Sequence, residues 1–341
     1  MLELALPELT HLLDSRARAL RARRWFYSSQ PVPAALPARI EGVAQAAWQR
    51  LRAAAPLPAW RLLRRALSDD GTIKYVLDLS GAVVETVLIP SRRRSTVCVS
   101  SQAGCSRRCA FCATATLGFE RQLTPAEILI QYAVARADAP AGAPVRNVVF
   151  MGMGEPLDNL EAVLATVQRL TEPGTPELAA EHVTVSTSGV APAMERFLRA
   201  SRARLALSLN ATTSAQRQRL MPHTRRWPVR TLLEVLRRDA RRAPGRRYFI
   251  EYVLWDGVND SAADARRLAQ LLAGLPAHVN LIPHNPFTGS GLRPPAPAVV
   301  LRFQQLLSAA GVRCLVRPSR GRDVAAACGQ LAPGHVGPPA A

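Results

Sequence analysis

The sequence predicts an α/β fold, in which a partial, barrel-like parallel sheet of six β/α units follows a small helical region and a β-hairpin. Two observations predict it. From residue 96 onward, short apolar runs alternate with longer segments whose apolar residues recur at helical spacing. The apolar runs, such as residues 147–151 and 204–209, are hydrophobic almost throughout, as is typical of strands buried on both faces of a parallel sheet.

The first 70 residues are predicted to form a small helical region. Apolar residues recur there at helical spacing in three segments, which proline-rich stretches separate. The three segments are residues 9–13, 40–51 and 60–67. Residues 16–24 form a dense basic run, which fits either a solvated helix face or a surface that contacts RNA.

A β-hairpin is predicted within residues 71–95. Two runs of strand-forming residues, 73–79 and 83–89, flank the turn residues Ser80 and Gly81. A basic cluster at residues 92–94 follows the hairpin and precedes the barrel.

The barrel is assigned to residues 96–318, and a surface loop and tail rich in Gly, Pro and Ala to residues 319–341. Strands are expected at residues 96–101, 146–151, 182–187, 204–209, 247–255 and 278–283. Helices are expected near residues 124–138, 158–171, 190–200, 229–242, 261–275 and 296–311. Active residues of such sheets lie at the carboxyl ends of the strands.

Composition narrows the class of protein. The 341 residues, 48% of them hydrophobic, suffice for one large domain and a small appendage. The sequence has no apolar run long enough to span a membrane and no signal peptide at its N-terminus, so we expect no membrane contact. Six cysteines in a chain of this length indicate metal or redox chemistry in a reducing cytoplasm, not a disulfide scaffold.

The net charge of +19 indicates a polyanionic partner, most simply nucleic acid. Arginine carries nearly all of the positive charge, and Lys74 is the only lysine. A GC-rich genome also produces a preference for arginine, but it accounts less well for the excess of basic over acidic residues.

Three cysteines lie in one short run, Cys105-Ser-Arg-Arg-Cys109-Ala-Phe-Cys112. Three thiolates can hold a four-iron cluster and leave its fourth iron open to a small molecule. The alternatives are a zinc site, a disulfide pair or three buried thiols. Zinc sites usually pair two C-x2-C knuckles or add nearby histidines, and the sequence has neither feature. The spacing is similar to that of the radical S-adenosylmethionine (SAM) superfamily.

Short segments that contain polar residues lie at the carboxyl ends of four further predicted strands. Singly, each fits a turn or a helix cap. Together, at one edge of the sheet and beside the cysteine run, they predict a site for an amine, a ribose and an adenine. They are Gly154 and Glu155, Ser186, Ser208 with Leu209 and Asn210, and Asn285.

Three cysteines lie outside the run. Cys328 precedes a glycine in a late loop, and nearby arginines would favour its reactive thiolate. Cys98 fits either a buried small residue or a second functional thiol. Cys314 is expected to be a buried residue of a strand.

The chain resembles the RlmN/Cfr family of radical SAM RNA methyltransferases, which methylate adenine carbons in RNA. The resemblance covers roughly residues 75–335 and is specific, because most radical SAM proteins lack the two extra cysteines. Besides the cysteine run, the shared motifs are Glu85-Thr-Val-Leu-Ile-Pro, Cys98-Val-Ser-Ser-Gln-Ala-Gly-Cys105, Gly118-Phe-Glu-Arg-Gln-Leu-Thr, Met151-Gly-Met-Gly-Glu-Pro-Leu-Asp-Asn, Ser186-Thr-Ser-Gly, Leu207-Ser-Leu-Asn, Glu251-Tyr-Val-Leu-Trp-Asp-Gly-Val-Asn-Asp, Asn280-Leu-Ile-Pro-His-Asn-Pro-Phe and Ala327-Cys328-Gly-Gln-Leu.

The resemblance implies a role for each matched position. One [4Fe-4S] cluster would be held by Cys105, Cys109 and Cys112. SAM would be contacted by Gly154, Glu155, Ser186, Ser208, Leu209, Asn210 and Asn285. Cys328 would carry the methyl group, Cys98 would resolve the RNA adduct, and Glu85 would accept the ring proton.

The implied reaction uses two SAM molecules per turnover. One methylates Cys328, and the other, cleaved with electrons from a donor such as flavodoxin, yields a radical that activates the S-methyl group. The carbon radical adds to adenine, and Cys98 then attacks the Cys328 sulfur, which leaves methyladenine and a transient disulfide. The implied substrates are ribosomal RNA and, for RlmN members, certain transfer RNAs. RlmN members modify carbon 2 and Cfr members carbon 8, and we expect carbon 2 here.

Two features depart from the family. Residues 1–70 match its helical RNA-binding domain poorly, and Asn210 stands where histidine is usual, so an acid–base group is missing there. Two other functions remain open: a radical SAM enzyme with a different substrate, and an RNA-binding protein with a structural cluster. The first has no use for both Cys98 and Cys328, and the open fourth iron of the cluster argues against the second.

Overall fold

A ten-stranded sheet forms the centre of the fold in the computed structural model, which describes residues 1–334. The strands of this sheet and of a small two-stranded sheet are β1 (Trp60–Leu67), β2 (Ile73–Leu79), β3 (Ala82–Pro90), β4 (Ser95–Cys98), β5 (Gln102–Gly104), β6 (Phe119–Gln122), β7 (Val145–Phe150), β8 (Val183–Thr187), β9 (Arg204–Ser208), β10 (Tyr248–Leu254), β11 (Ala277–Pro283) and β12 (Arg313–Val316). The α-helices are α1 (Leu6–Leu12), α2 (Arg16–Ser28), α3 (Gln45–Ala54), α4 (Pro125–Ala137), α5 (Leu160–Thr171), α6 (Ala191–Ala200), α7 (Ser214–Leu220), α8 (Val229–Arg242), α9 (Ala262–Leu272) and α10 (Pro297–Ala309). The end of the predicted tail, residues 335–341, lies outside the described residues.

The large sheet runs in the order β1-β2-β3-β4-β7-β8-β9-β10-β11-β12. All neighbouring pairs from β4 to β12 are parallel, whereas β1, β2, β3 and β4 pair antiparallel. Parallel neighbours need a crossover, and at least one helix lies between each successive pair. Because β1 and β12 are edge strands, the barrel is open. The predicted fold class, a partial α/β barrel behind a helical region and a hairpin, is confirmed.

The six predicted strands and six predicted helices of the barrel are present within a few residues of their expected bounds. Val148, Leu207, Ile250 and Val279 lie within their strands and are fully buried, in agreement with strands covered on both faces. Cys314 is buried in β12, as expected. No helix within residues 1–334 combines the length and the apolar character needed to cross a membrane.

The hairpin is confirmed, but the helix predicted over residues 60–67 is wrong. The hairpin turn uses Ser80 and Gly81, both at positive φ (51° and 91°), a backbone shape that suits tight turns between twisted strands. Residues 60–67 form β1, which pairs antiparallel with β2. Their leucine spacing suggested a helix, yet most side chains of β1 are exposed, so no helical face is buried and strand pairing decides the structure.

The basic run of α2 serves two purposes. Arg23 is buried and forms an ion pair with Glu172 (2.7 Å), which fixes the helical region against the barrel. Arg16, Arg21 and Arg24 are exposed. The run is therefore partly structural, and its exposed members remain available to a polyanion.

The loop after β12 is only in part the surface loop that the sequence predicted. It folds back onto the β1–β2 turn, where Arg320 and the Gly321 amide each donate to Asp70 at 2.9 Å. Three alanines of this loop are buried, namely Ala325, Ala326 and Ala327. Small side chains let this segment pack against the barrel, and composition alone cannot distinguish such packing from a surface loop.

Candidate active site

The cysteine run lies in a loop at the carboxyl edge of the sheet, tied at its base by the strands β5 and β6. The Cys105 amide donates to the Gly118 carbonyl at 2.6 Å. A Cβ atom on Gly104 would lie 2.0 Å from that carbonyl oxygen, so only glycine allows the two strands to approach here. Farther along, the Ala110 amide donates to the Leu220 carbonyl at 2.9 Å. Backbone contacts therefore hold this cluster loop without help from the thiols.

The three thiols of the run lie close enough together that some of them raise the pKa of others. Burial, and then the neighbouring Cys112 and Glu155, raise the pKa of Cys105 to about 12. Burial likewise raises the pKa of Cys109 well above its usual value, and Cys112 and Cys105 add to that shift. Buried thiols ionise readily only beside positive charge, which bound iron would supply.

As they stand, no three Cys, His, Asp or Glu side chains within residues 1–334 are arranged to hold a metal ion. The irons of a four-iron cluster each bind their own thiolate, so its ligands need not converge on one point. Arg217 supports the fit. Its guanidinium is buried, and its positive charge acts to lower the pKa of Cys109. Its Nη1 atom has no hydrogen-bond partner among the described residues. A cationic donor at this position suits a cluster that carries three thiolates.

Arg217 also connects two strand ends of the predicted SAM site. Its Nε donates to the Leu209 carbonyl (2.9 Å), and its Nη2 donates to the carbonyls of Ser208 and Ser188. The Ser208 hydroxyl lies 3.3 Å from that of Ser186. The structure thus brings Ser186, Ser208 and Leu209 together, as the sequence predicted, through a residue that the sequence analysis missed.

The Gly154-Glu155 turn is held by the neighbouring strand ends. Glu155 is buried, and its carboxylate accepts from the Ser188 amide (2.7 Å) and the Ser188 hydroxyl (2.6 Å). A Cβ atom on Gly154, whose φ is 97°, would lie 2.5 Å from the Gln102 side chain. The glycine is therefore required by the close approach of Gln102, and contact with SAM remains a prediction for both residues.

Asn210 has a structural role, which an asparagine can fill where histidine is usual in the family. Its φ is 59°, a conformation that asparagine adopts more readily than most residues. Its side-chain oxygen accepts from the Val253 amide at 3.0 Å, and its carbonyl accepts from Asn259 at 2.9 Å. These bonds join the ends of β9 and β10 without acid–base chemistry.

Asn285 connects the predicted SAM site to the loop that carries Cys328. Its Nδ2 donates to the Cys328 carbonyl (3.1 Å), and its Oδ1 accepts from the Ser319 hydroxyl (2.5 Å). The same loop contacts the cluster loop, because the Ala113 amide donates to the Gly329 carbonyl at 2.7 Å. Cys328 is thereby held over the cluster loop, although it lies 216 positions after Cys112 in the sequence.

Cys98 and Cys328 share this part of the site. Cys98 is buried at the end of β4, and its pKa is raised by burial and then by the charge of Cys328. Cys328 is exposed to solvent, yet the protein around it raises its pKa to about 11, with Glu251 as the next cause. All six cysteines of the chain are free, so the predicted disulfide between Cys98 and Cys328 is absent from this structure.

Glu85 lies on β3 and is buried. Its Oε1 is 3.0 Å from the ammonium of Lys74, which is also buried. Its carbonyl accepts from the Ser100 hydroxyl at 2.6 Å, beside the strand end that carries Cys98. The proposed proton acceptor therefore lies on β3, the strand that pairs with the β4 strand of the proposed resolving thiol.

Sequence reasoning missed three functional candidates: Arg217, Glu251 and Lys74. Glu251 faces Cys328 from β10, and burial raises its pKa to about 7. A weak signal existed for Lys74, the only lysine of an arginine-rich chain, placed in an otherwise apolar strand. Arg217 carried no signal, because one arginine among many on a helix looks solvent-exposed.

Comparisons with known proteins identify the family of this chain. Residues 99–269 match the Radical SAM superfamily. A probable RNA methyltransferase of Sorangium cellulosum is 50% identical over 85% of this chain and 73% of its own length. The dual-specificity RNA methyltransferase RlmN of Anaeromyxobacter dehalogenans is 43% identical over 92% of this chain and 86% of its own length.

A solved structure shares the whole architecture. The crystal structure of a radical SAM methyltransferase from Sphaerobacter thermophilus superposes with a TM-score of 0.89 at 40% identity, covering 97% of this chain and 98% of the other. The cysteine loop, the strand-end site and these relatives agree, and the chain belongs to the radical SAM superfamily, within the family of RlmN-type RNA methyltransferases.

Proposed function

We propose that this enzyme methylates carbon 2 of an adenine in RNA by way of a methyl group carried on Cys328. One observation supports the proposal above all: residues remote in sequence meet at one site. The Ala113 amide of the cluster loop donates to the Gly329 carbonyl in the loop of Cys328, and the charge of Cys328 contributes to the raised pKa of Cys98. A carrier thiol, a resolving thiol and the cluster ligands must share a site for this reaction, and no other function uses all of them.

Cys105, Cys109 and Cys112 would hold the [4Fe-4S] cluster at the carboxyl edge of the sheet. When bound, the cluster supplies the one-electron reduction that cleaves SAM and starts radical chemistry. Glu155 and the hydroxyls of Ser186 and Ser208 would orient SAM, and the buried arginine beside them would offset the negative charge of the thiolates. Two SAM molecules would serve each turnover, with electrons from a donor such as flavodoxin.

Cys328 would first act as a nucleophile toward SAM. A bond forms between its sulfur and the methyl carbon, the methyl–sulfonium bond breaks, and S-adenosylhomocysteine and the thiol proton leave. Burial and the charge of Glu251 raise the pKa of Cys328, and nearby Arg317 offsets part of that rise. A carrier is needed because an adenine ring carbon is electron-poor and cannot attack SAM itself.

Cys98 would release the product. Its sulfur bonds to the Cys328 sulfur while the bond from Cys328 to the transferred carbon breaks. The electron pair of that bond passes to the carbon, which takes up a proton and becomes the methyl group. Before this release, Glu85 would accept the ring proton, and the unpaired electron left by the radical addition would pass to a one-electron acceptor. A dithiol reductant must then restore the two thiols.

Ribosomal RNA, and also transfer RNA, is the substrate we propose, in the cytoplasm where thiols stay reduced. The net charge of +19 supports a polyanionic substrate, and relatives named RlmN favour carbon 2 over carbon 8. Arg225 and Arg226 are exposed in a turn whose His223 contacts the cluster loop through the Arg107 carbonyl (2.8 Å). They are suited to hold the RNA backbone near the site.

Mass spectrometry of RNA nucleosides tests this function. We expect 2-methyladenosine in ribosomal and transfer RNA from cells that contain the protein, and its loss when the gene is deleted. Reintroduction of the gene should restore the modification. The appearance of 8-methyladenosine would correct the ring position. Unchanged nucleosides would favour the alternative, a radical SAM enzyme that acts on a different substrate.

The Cys98→Ala variant is expected to accumulate RNA joined covalently to the protein, because the carbon–sulfur bond to Cys328 forms but cannot be resolved. A denaturing gel of labelled RNA measures the adduct. Cys314→Ala serves as the matched control, because Cys314 is a free, buried thiol of β12 with no role in the proposed reaction, and it should give only free RNA. Free RNA alone in the Cys98 variant would rule out the resolving role.

A further inference from the structure

We propose that Lys74 is a positioning residue for this reaction: its ammonium keeps Glu85 ionised and fixes that carboxylate beside the loop that carries Cys328. The inference rests on the proposed function, because it assigns a partner to the proposed proton acceptor.

Strand register places Lys74 on the same face of the sheet as the proposed chemistry. Lys74 lies directly opposite Val87 across β2 and β3, and Val87 lies opposite Cys98 across β3 and β4. Residues directly opposite one another in an antiparallel pair point to the same face, as do residues two apart in one strand. Lys74, Glu85 and Cys98 therefore share one face, on which the Cys328 loop lies.

The Lys74 ammonium makes two contacts there. It is 3.0 Å from the Glu85 Oε1 atom, and it donates to the Ala325 carbonyl at 3.3 Å. Ala325 precedes Cys328 by three residues. Lys74 and Glu85 are 4% and 1% exposed, so this ion pair is shielded from water. One cation thus connects the carboxylate to the loop of the methyl carrier.

The loop does not depend on Lys74 for its position. Arg320 and the Gly321 amide bind Asp70, and the Ser68 hydroxyl donates to Asp323 at 2.5 Å. Removal of the ammonium would leave these anchors in place. What Lys74 adds to these anchors is a positive charge at Glu85, which none of them supplies.

The charge matters because a buried carboxylate that loses its cation favours the protonated form. In the proposed step, the proton leaves the adenine ring carbon and bonds to a carboxylate oxygen of Glu85, the carbon–hydrogen electron pair stays in the ring, and the unpaired electron left by the radical addition passes to a one-electron acceptor. A carboxyl group that is already protonated cannot accept the proton. Lys74 is a cation that the structure places against the Glu85 carboxylate, and Cys98 lies on the same face of the sheet.

The test compares Lys74→Met with Glu85→Gln. We expect both to lower methyladenosine formation roughly 10²-fold or more, the usual contribution of a positioned base. Both should accumulate the covalent RNA–protein adduct, and both should still methylate Cys328 and cleave SAM. Deuterium at adenine carbon 2 should slow the residual turnover of Lys74→Met more than that of the unaltered enzyme. Lys74→Arg, which keeps the charge, should recover turnover and lower the amount of adduct.

Two controls make the proposal falsifiable. Arg320→Met weakens the loop anchor but keeps the ion pair, so it should slow methylation of Cys328 without accumulating adduct. If Lys74→Met does not fold, Lys74→Gln, which keeps a donor but no charge, should give the same adduct. Normal turnover in either Lys74 variant, or loss of Cys328 methylation without adduct, would overturn the proposal. An unaltered enzyme that forms no methyladenosine would instead overturn the proposed function itself.

Discussion

Replacement of Cys328 by alanine is expected to abolish RNA methylation while iron content and reductive cleavage of SAM stay unchanged. The reason is chemical. Alanine has no group that can accept a methyl from SAM, and the adenine carbon cannot accept it directly. Peptide mass spectrometry should find a methylated Cys328 in the unaltered enzyme and no methylated cysteine in the variant.

The structure explains why this variant should stay folded. The Cys328 side chain is exposed, and the loop is held by backbone groups, since Asn285 binds the Cys328 carbonyl and Ala113 binds the Gly329 carbonyl. A melting temperature close to that of the unaltered protein is the control. Methylated RNA formed by a folded Cys328→Ala protein would refute the carrier role.

The second large effect is expected from Cys109→Ala. Loss of one of the three thiolates should prevent stable binding of the cluster, so the iron content, the visible absorbance and the SAM cleavage should all fall to background. Methylation of adenine in RNA should fall with them, because the radical that activates the S-methyl group cannot form without reductive cleavage of SAM. Iron analysis and anaerobic product assays measure each quantity separately.

The cluster loop should survive this change, because Cys105 and Ala110 hold it through backbone hydrogen bonds that involve no thiol. Far-ultraviolet circular dichroism should therefore match that of the unaltered protein without its cluster. Cys314→Ala is again the matched control and should keep its iron. Full iron content and SAM cleavage in Cys109→Ala would show that the run of three cysteines is not the cluster site.

The barrel was predictable because its signals are local. Each of the six predicted strands is a short apolar run and each of the six predicted helices has apolar residues at helical spacing, so pattern and structure agree for these elements. The prediction failed at residues 60–67, where the leucine spacing suits a helix but the segment buries almost nothing. There the backbone pairing with β2 decides, and its partner cannot be read from the segment itself.

The ligand residues were likewise visible in short motifs, whereas the contacts among them were not. Asn285 is one of a polar pair after a strand in the sequence, but in the structure it holds the Cys328 loop. Asn210 lacks the usual acid–base side chain, and the structure gives its amide a bond to Val253 instead. Arg217 connects two strand ends from a helix that the sequence did not mark.

The sequence by itself determined the chemistry: three clustered cysteines, two further thiols, a carboxyl group and an order of strands and helices that places polar residues at one edge of a sheet. Only the tertiary structure decided which of these groups meet, and it added Lys74, whose charge reaches both Glu85 and the loop of Cys328. The physical reason is that residue types and spacing are local properties of a chain. The burial of an ion pair and the register of strands depend on contacts between segments far apart in sequence.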